Sequence, residues 1–203
     1  MQTTLIQFES RAETKADAVA RALELVHQAP RGDLILLPEL WPTGAFSCSR
    51  FAADAEDLEG PTVQAFRDRA RTLKTWIQIG SFVERAGANL HNTCLLIDAT
   101  GAIAARYRKI HLFGQAGSQE PKFLTAGRDI VVIDTPWGRT GLSTCYDLRF
   151  PELYRRQVDL GAEVFLVSAG WPQARIEAWK LFVRARAAEN QAVMLACNGA
   201  GST

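Results

Sequence analysis

The chain has 203 residues, of which 47% are hydrophobic and 22% charged, and a formal net charge of +1. That length and apolar content are enough for one well-cored domain without disulfides or a structural metal. The balanced charge argues against a polyanion such as nucleic acid as the main partner, and no apolar run approaches the ~18–20 residues of a membrane span.

The N-terminal stretch Met1–Glu9 has no basic region, and Glu9 breaks its short apolar run, so it does not read as a signal peptide. Leu5 to Phe8 is the first expected strand. Ala16, Val19, Leu23 and Val26 then form one helical stripe within residues 12–29, stopped by Pro30-Arg31-Gly32. Asp33 to Leu37 is a continuous apolar strand, of the kind covered on both faces. Val63, Phe66, Ala70 and Leu73 give a second helix near 62–74, whose mixed basic and acidic residues lie mostly off the stripe and read as a solvated face. Strands follow at 76–83 and 92–98 around an Ala86–Asn89 turn, with another turn at Asp98–Gly101. A long loop spans about 113–122. Strands near 129–134 and 139–144 flank Pro136-Trp137-Gly138, and a helix follows Pro151. A strand at 163–168, a helix over 173–190 carrying Ile176, Trp179, Val183 and Ala187, and a strand from Ala192 to Cys197 complete the chain. Strands alternating with helices, plus two hairpins, imply a single α/β domain with a mixed sheet system.

The cysteines, Cys48, Cys94, Cys145 and Cys197, are 46, 51 and 52 residues apart and contain no metal-binding spacing. A reducing, cytoplasmic setting is expected, with no metal and no cofactor. Cys145 stands out because it ends an apolar strand just before a helix opened by Pro151-Glu152. Such a corner exposes a side chain beside backbone N–H groups that can hold an oxyanion; alternatively it is a small buried apolar residue. Lys109, bracketed by Tyr107, Ile110, Leu112 and Phe113, is either a snorkelling lysine or a desolvated cation. Beside Cys145 it would favour the thiolate and stabilise an oxyanion. Glu39 follows the buried run Leu34–Pro38. Burial would raise its pKa toward that of a general base, unless it is a helix-start acid or pairs with Arg50. Glu120, at the end of the long loop, reads in isolation as a surface acid.

Taken together these residues resemble the carbon–nitrogen hydrolase (nitrilase) superfamily. The resemblance is carried by Leu36-Leu37-Pro38-Glu39-Leu40, Tyr107–Phe113, Cys145–Leu153, and Arg184–Gln191 followed by Ala196-Cys197-Asn198. It implies a four-layer αββα sandwich and amide hydrolysis without a metal. Carried over residue by residue, Cys145 is the nucleophile and Glu39 the general base and acid. Lys109 becomes the oxyanion holder, aided by the Tyr146 N–H, and Glu120 the glutamate that positions the lysine and the substrate nitrogen. Tyr146-Asp147 after the cysteine looks like the amidase branches, and Gly170–Arg175 is similar to ω-amidases that act on 2-oxoglutaramate. Such substrates carry a carboxylate. Arg149 either binds it or pairs with Asp147 or Glu152; Trp171 and Phe46 either wall the pocket or pack in the core.

The expected activity is therefore ammonia release from a small carboxylate-bearing amide, through a Cys acyl-enzyme in a homodimer, with amide and water as partners. The alternatives are an N-carbamoyl amino acid or β-ureidopropionate-type amidohydrolase, and a catalytically silent binding protein. The family's later sandwich strands, with Gly-x-Ser and then Pro-x-Gly, have no counterpart before Thr203, so the domain over 1–203 is expected to be short of the family's last strands.

Overall fold

The computed structural model describes residues 1–114 and 119–201. Among the described residues, strands pair into two sheets. The first has the order β1 (Thr3–Leu5), β2 (Leu34–Leu36), β3 (Trp76–Ala86), β4 (Asn89–Ile97), β5 (Ile103–Arg108); the second runs β6 (Val132–Thr135), β7 (Gly138–Thr144), β8 (Val164–Ala169), β9 (Val193–Asn198). The triplets β1-β2-β3 and β7-β8-β9 are parallel, while β3-β4-β5 and β6-β7 are antiparallel.

The period of two along each strand builds the layers. Leu34 and Leu36 of β2 meet Leu142, Val164 and Leu166 between the sheets, while Ile35 and Leu37 face outward onto α1 (Lys15–Gln28) and α3 (Pro61–Leu73). Phe165 and Val167 of β8 likewise face α5 (Pro151–Asp159) and α6 (Ile176–Asn190). The result is the expected helix–sheet–sheet–helix sandwich. Strands covered on both faces explain the continuous apolar runs of the sequence.

Several elements differ from expectation. β1 pairs over Thr3–Leu5 rather than Leu5–Phe8, because short β2 offers partners only there; Ile6 and Phe8 are buried beyond it. In α1, Thr14 caps the start by accepting from the Asp17 N–H, and the buried face is Ala18, Ala22 and Val26, with Ala16 exposed. β5 was not expected. Its Ala- and Arg-rich sequence has little strand propensity, and it is held by antiparallel pairing along β4. Within the expected 113–122 loop, Glu120 opens a helical turn, α4 (Glu120–Phe123), while residues 115–118 lie outside the described residues. A further short helix, α2 (Phe51–Asp54), follows a 3₁₀ turn at Cys48–Arg50.

Among the described residues no helix is long and apolar enough to cross a membrane.

Candidate active site

Glu39, Lys109, Cys145 and Gly170 each follow directly on, or lie just past, the carboxyl end of a strand: β2, β5, β7 and β8. Strand ends leave backbone groups unpaired, so loops there are where binding groups collect.

The turn after β2 holds Glu39 in place. Ser81 N–H donates to the Pro38 carbonyl (3.1 Å), Glu39 N–H to the Ala169 carbonyl (3.3 Å) and Leu40 N–H to Ser81 Oγ (2.9 Å). This turn forces Leu40 to a positive φ of 46°. Lys109 is fixed by two backbone bonds, its N–H to the Asn92 carbonyl and its carbonyl from Gly127 N–H, both 2.8 Å. Its side chain is 1% exposed, and Nζ reaches Glu39 Oε1 at 2.7 Å and Glu120 Oε2 at 2.9 Å. Gly170 N–H donates to Glu39 Oε2 (2.9 Å) and Phe113 N–H to Glu120 Oε2 (2.7 Å). Glu120 is thus buried rather than a surface acid, and Glu39 pairs with Lys109 while Arg50 pairs with Asp54.

Cys145 occupies the left-handed region, φ 47°, at the start of a 3₁₀ turn over Cys145–Arg149. A non-glycine residue held there costs about 1–3 kcal/mol, which the surroundings must outweigh. They do so through Asp147, fully buried, which accepts from Thr144 N–H (2.8 Å), Tyr107 Oη (2.6 Å) and His111 N–H (3.0 Å), with His111 Nδ1 at 2.7 Å. His111 in turn stacks on Phe150 at 3.7 Å.

The charge states differ from those expected of each residue alone. Burial acts to raise Glu39, but the Lys109 charge and the bonds from Lys109, Cys145 and Gly170 outweigh it and hold the carboxyl below its ordinary value. Glu120 moves the other way: burial and the Glu39 charge exceed the pull of Lys109. Burial also acts against the Lys109 cation, yet two adjacent carboxylates keep it protonated well above the usual lysine range. Burial and the Glu39 charge push the Cys145 thiol well up, and Lys109 only partly opposes them because its charge is already shared. The expected thiolate and neutral-range glutamate are therefore replaced by a thiol beside an ionised carboxylate. Such a pair can act as nucleophile and proton acceptor, with the cation poised for an oxyanion.

A cleft opens onto this cluster. Tyr146, Arg149, Trp171 and Phe46 all line it, so the two aromatic candidates face the cleft even though Trp171 also packs in a core cluster. Arg149 pairs with neither Asp147 nor Glu152; its guanidinium lies 5.2 Å from the Trp171 ring, 5.0 Å from Phe182 and 5.8 Å from Tyr146. Sequence reasoning missed Asn92, whose Nδ2 donates to both Glu39 Oε1 (2.9 Å) and Glu120 Oε1 (3.3 Å). The available signal was a polar His91-Asn92-Thr93 patch opening an otherwise apolar strand. Among the described residues no group of three or more His, Cys, Asp or Glu is arranged to hold a metal.

The family model described as carbon-nitrogen hydrolase matches residues 2–203. A 2-oxoglutaramate amidase of Paenarthrobacter nicotinovorans is 40% identical over 97% of this chain and 69% of its own length. A deaminated glutathione amidase of Yersinia enterocolitica is 37% identical over 97% of this chain and 72% of its own. The crystal structure of XC1258 from Xanthomonas campestris, a CN-hydrolase superfamily protein with an arsenic adduct in its active site, superposes with a TM-score of 0.88. It is 34% identical, over 98% of this chain and 76% of that one. Motif, fold and overall similarity agree: the chain belongs to the carbon–nitrogen hydrolase family.

Proposed function

We propose that the chain is a thiol amidohydrolase of the ω-amidase kind, releasing ammonia from a small carboxylate-bearing amide such as 2-oxoglutaramate. The observation that carries this reading is the meeting of Cys145, Glu39 and Lys109, 36 to 106 residues apart in sequence, in one buried cluster at one cleft. The similarity to a 2-oxoglutaramate amidase supports the substrate. Residues 1–203 are read as one domain.

In this reading Cys145 Sγ attacks the amide carbon as its proton passes to Glu39. The carbonyl oxygen becomes an oxyanion held by Lys109 Nζ and the Tyr146 N–H. Glu39 returns the proton to the nitrogen, the C–N bond breaks, and ammonia leaves a thioester on Cys145. Water, deprotonated by Glu39, then attacks the thioester, releasing the acid and restoring the thiol. Glu120 positions Lys109 and the amide nitrogen. Arg149 receives the carboxylate between the walls of Tyr146, Trp171 and Phe46.

Ammonia release from a panel of short ω-amides and N-carbamoyl acids tests this. Cys145→Ala abolishes turnover, and Lys109→Ala lowers kcat by about 10²–10³, the usual effect of one lost oxyanion donor. Full activity in Cys145→Ala sinks the mechanism, and activity on carbamoyl acids alone sinks the substrate. A folded but inactive protein favours a binding role. All four cysteines are free, in keeping with a reducing cytoplasmic setting. The homodimer implied by family resemblance is checked by sedimentation equilibrium, where a monomer mass refutes it.

A further inference from the structure

Arg175 lines this cleft and takes no part in the proposed acyl transfer. It closes a short 3₁₀ turn (Gln173–Arg175) on the loop after β8, and its side chain is half-buried. Among the other half-buried or buried arginines, Arg21, Arg50, Arg67, Arg108 and Arg186 each pair a carboxylate and Arg69 meets His27 Nδ1, while Arg149, in the same cleft, pairs none among the described residues. Arg175 pairs none among the described residues. Among the described residues its guanidinium lies over the Phe113 ring, whose centroid is 5.8 Å from Cζ. A guanidinium partly withdrawn from water with no carboxylate partner is costly unless something completes its shell.

The fold turns Arg175 and Arg149 toward the same space through Trp171. The Trp171 indole N–H donates to the Arg175 carbonyl (2.9 Å), while its ring carries the Arg149 guanidinium. Phe113 and Tyr146, in contact at 5.1 Å, link the two arginines on the other side. Both arginines line the cleft. Lys109 is not available to an external anion at rest, because Glu39 and Glu120 already hold its ammonium. With those two carboxylates ionised, the cleft holds one positive charge in excess, which a single substrate carboxylate neutralises and a second would reverse.

We infer that Arg175 is a specificity-determining residue that shares the substrate carboxylate with Arg149, so that the site selects amides bearing one carboxylate at the far end. This rests on the amidase reading above and goes beyond it, by assigning a second cation to the carboxylate and one negative charge to the preferred substrate. Two guanidiniums around one carboxylate use both of its oxygens and present more donors than either alone.

Glutaric acid monoamide and valeramide test the assignment, since they differ only in carboxylate against methyl. Arg175→Gln is the informative change, because the bonds that Arg175 makes to Trp171 and Pro172 are from its backbone and survive substitution. We expect this variant to cut the preference for the monoamide over valeramide by about tenfold or more, through KM rather than kcat. Equal losses on both amides, as a merely structural role would give, overturn the inference, as does an unaltered preference. A second arm needs no turnover. In the Cys145→Ala protein, glutarate binding measured by calorimetry weakens by about tenfold or more when Arg175→Gln is added, and unchanged binding overturns the inference. If the wild-type protein hydrolyses no amide, the functional reading falls, while this arm still decides whether Arg175 grips a carboxylate.

Discussion

Asn92 touches three members of the cluster, as many as Lys109 does: its carbonyl holds the Lys109 backbone and its amide holds both carboxylates. A neutral donor at that point favours the ionised form of Glu39. A carboxylate in its place would disfavour it. In the proposed mechanism Glu39 must be ionised to accept the Cys145 proton, and because it is held below its ordinary value its own titration places the acid limb of kcat/KM at lower pH than an ordinary carboxylate would. Asn92→Asp adds a like charge and raises the Glu39 pKa, so the acid limb moves up by about one unit or more. A pH–rate profile of wild type and variant checks this, and a limb that stays in place refutes the role. The candidates found from sequence were legible because each stands in a marked local context. Glu39 ends an apolar run with Pro38, Lys109 sits among apolar residues, and Cys145 turns a strand into a helix. Asn92 was not, because its importance comes from the direction in which β4 points it. The charge states were misjudged for the same reason. Reasoning from burial alone raises Glu39, and reasoning from a neighbouring cation alone lowers Cys145; both directions reverse once Lys109 is shared among three groups.

At the scale of elements, the turn that presents Glu39 depends on an irregularity in its neighbour. β3 shifts register against β4 between Gln78 and Ser81, and Gly80 sits in that gap at φ 70°. A Cβ at Gly80 would lie 2.0 Å from the Pro38 carbonyl oxygen. Gly80→Ala therefore adds left-handed strain to a backbone clash and disturbs the Pro38–Leu40 turn. We expect a loss of at least about 2 kcal/mol of stability in chemical denaturation, with reduced activity. A near-neutral variant would mean that the bulge does not position Glu39. The apolar run of β3 was readable in sequence, but its bulge was not, because a glycine inside a strand signals irregularity without saying which partner comes close. β5 was missed outright, since the pairing surface of β4 and not its own composition makes it a strand.

Across the whole molecule, stability rests on the layer between the sheets. Leu166 is fully buried there, among Leu34, Leu36, Leu96 and Leu142. Leu166→Ala leaves a cavity between two sheets that cannot collapse independently and costs about 2–5 kcal/mol, read from the denaturation midpoint at unchanged slope. A loss under about 1 kcal/mol would show that the sheets close over the gap. The sequence by itself determined the balanced charge, the strand and helix periodicities, and the three marked residues Glu39, Lys109 and Cys145, the last two because they depend only on neighbours a few positions away. Only the tertiary structure decided that residues 39, 92, 109, 120 and 145 share one buried cluster, that the pKa values of Glu39 and Glu120 move in opposite directions, and that Arg149 and Arg175 have no carboxylate partner among the described residues. Electrostatic interaction and desolvation act through distances in space, which separation along the chain does not specify.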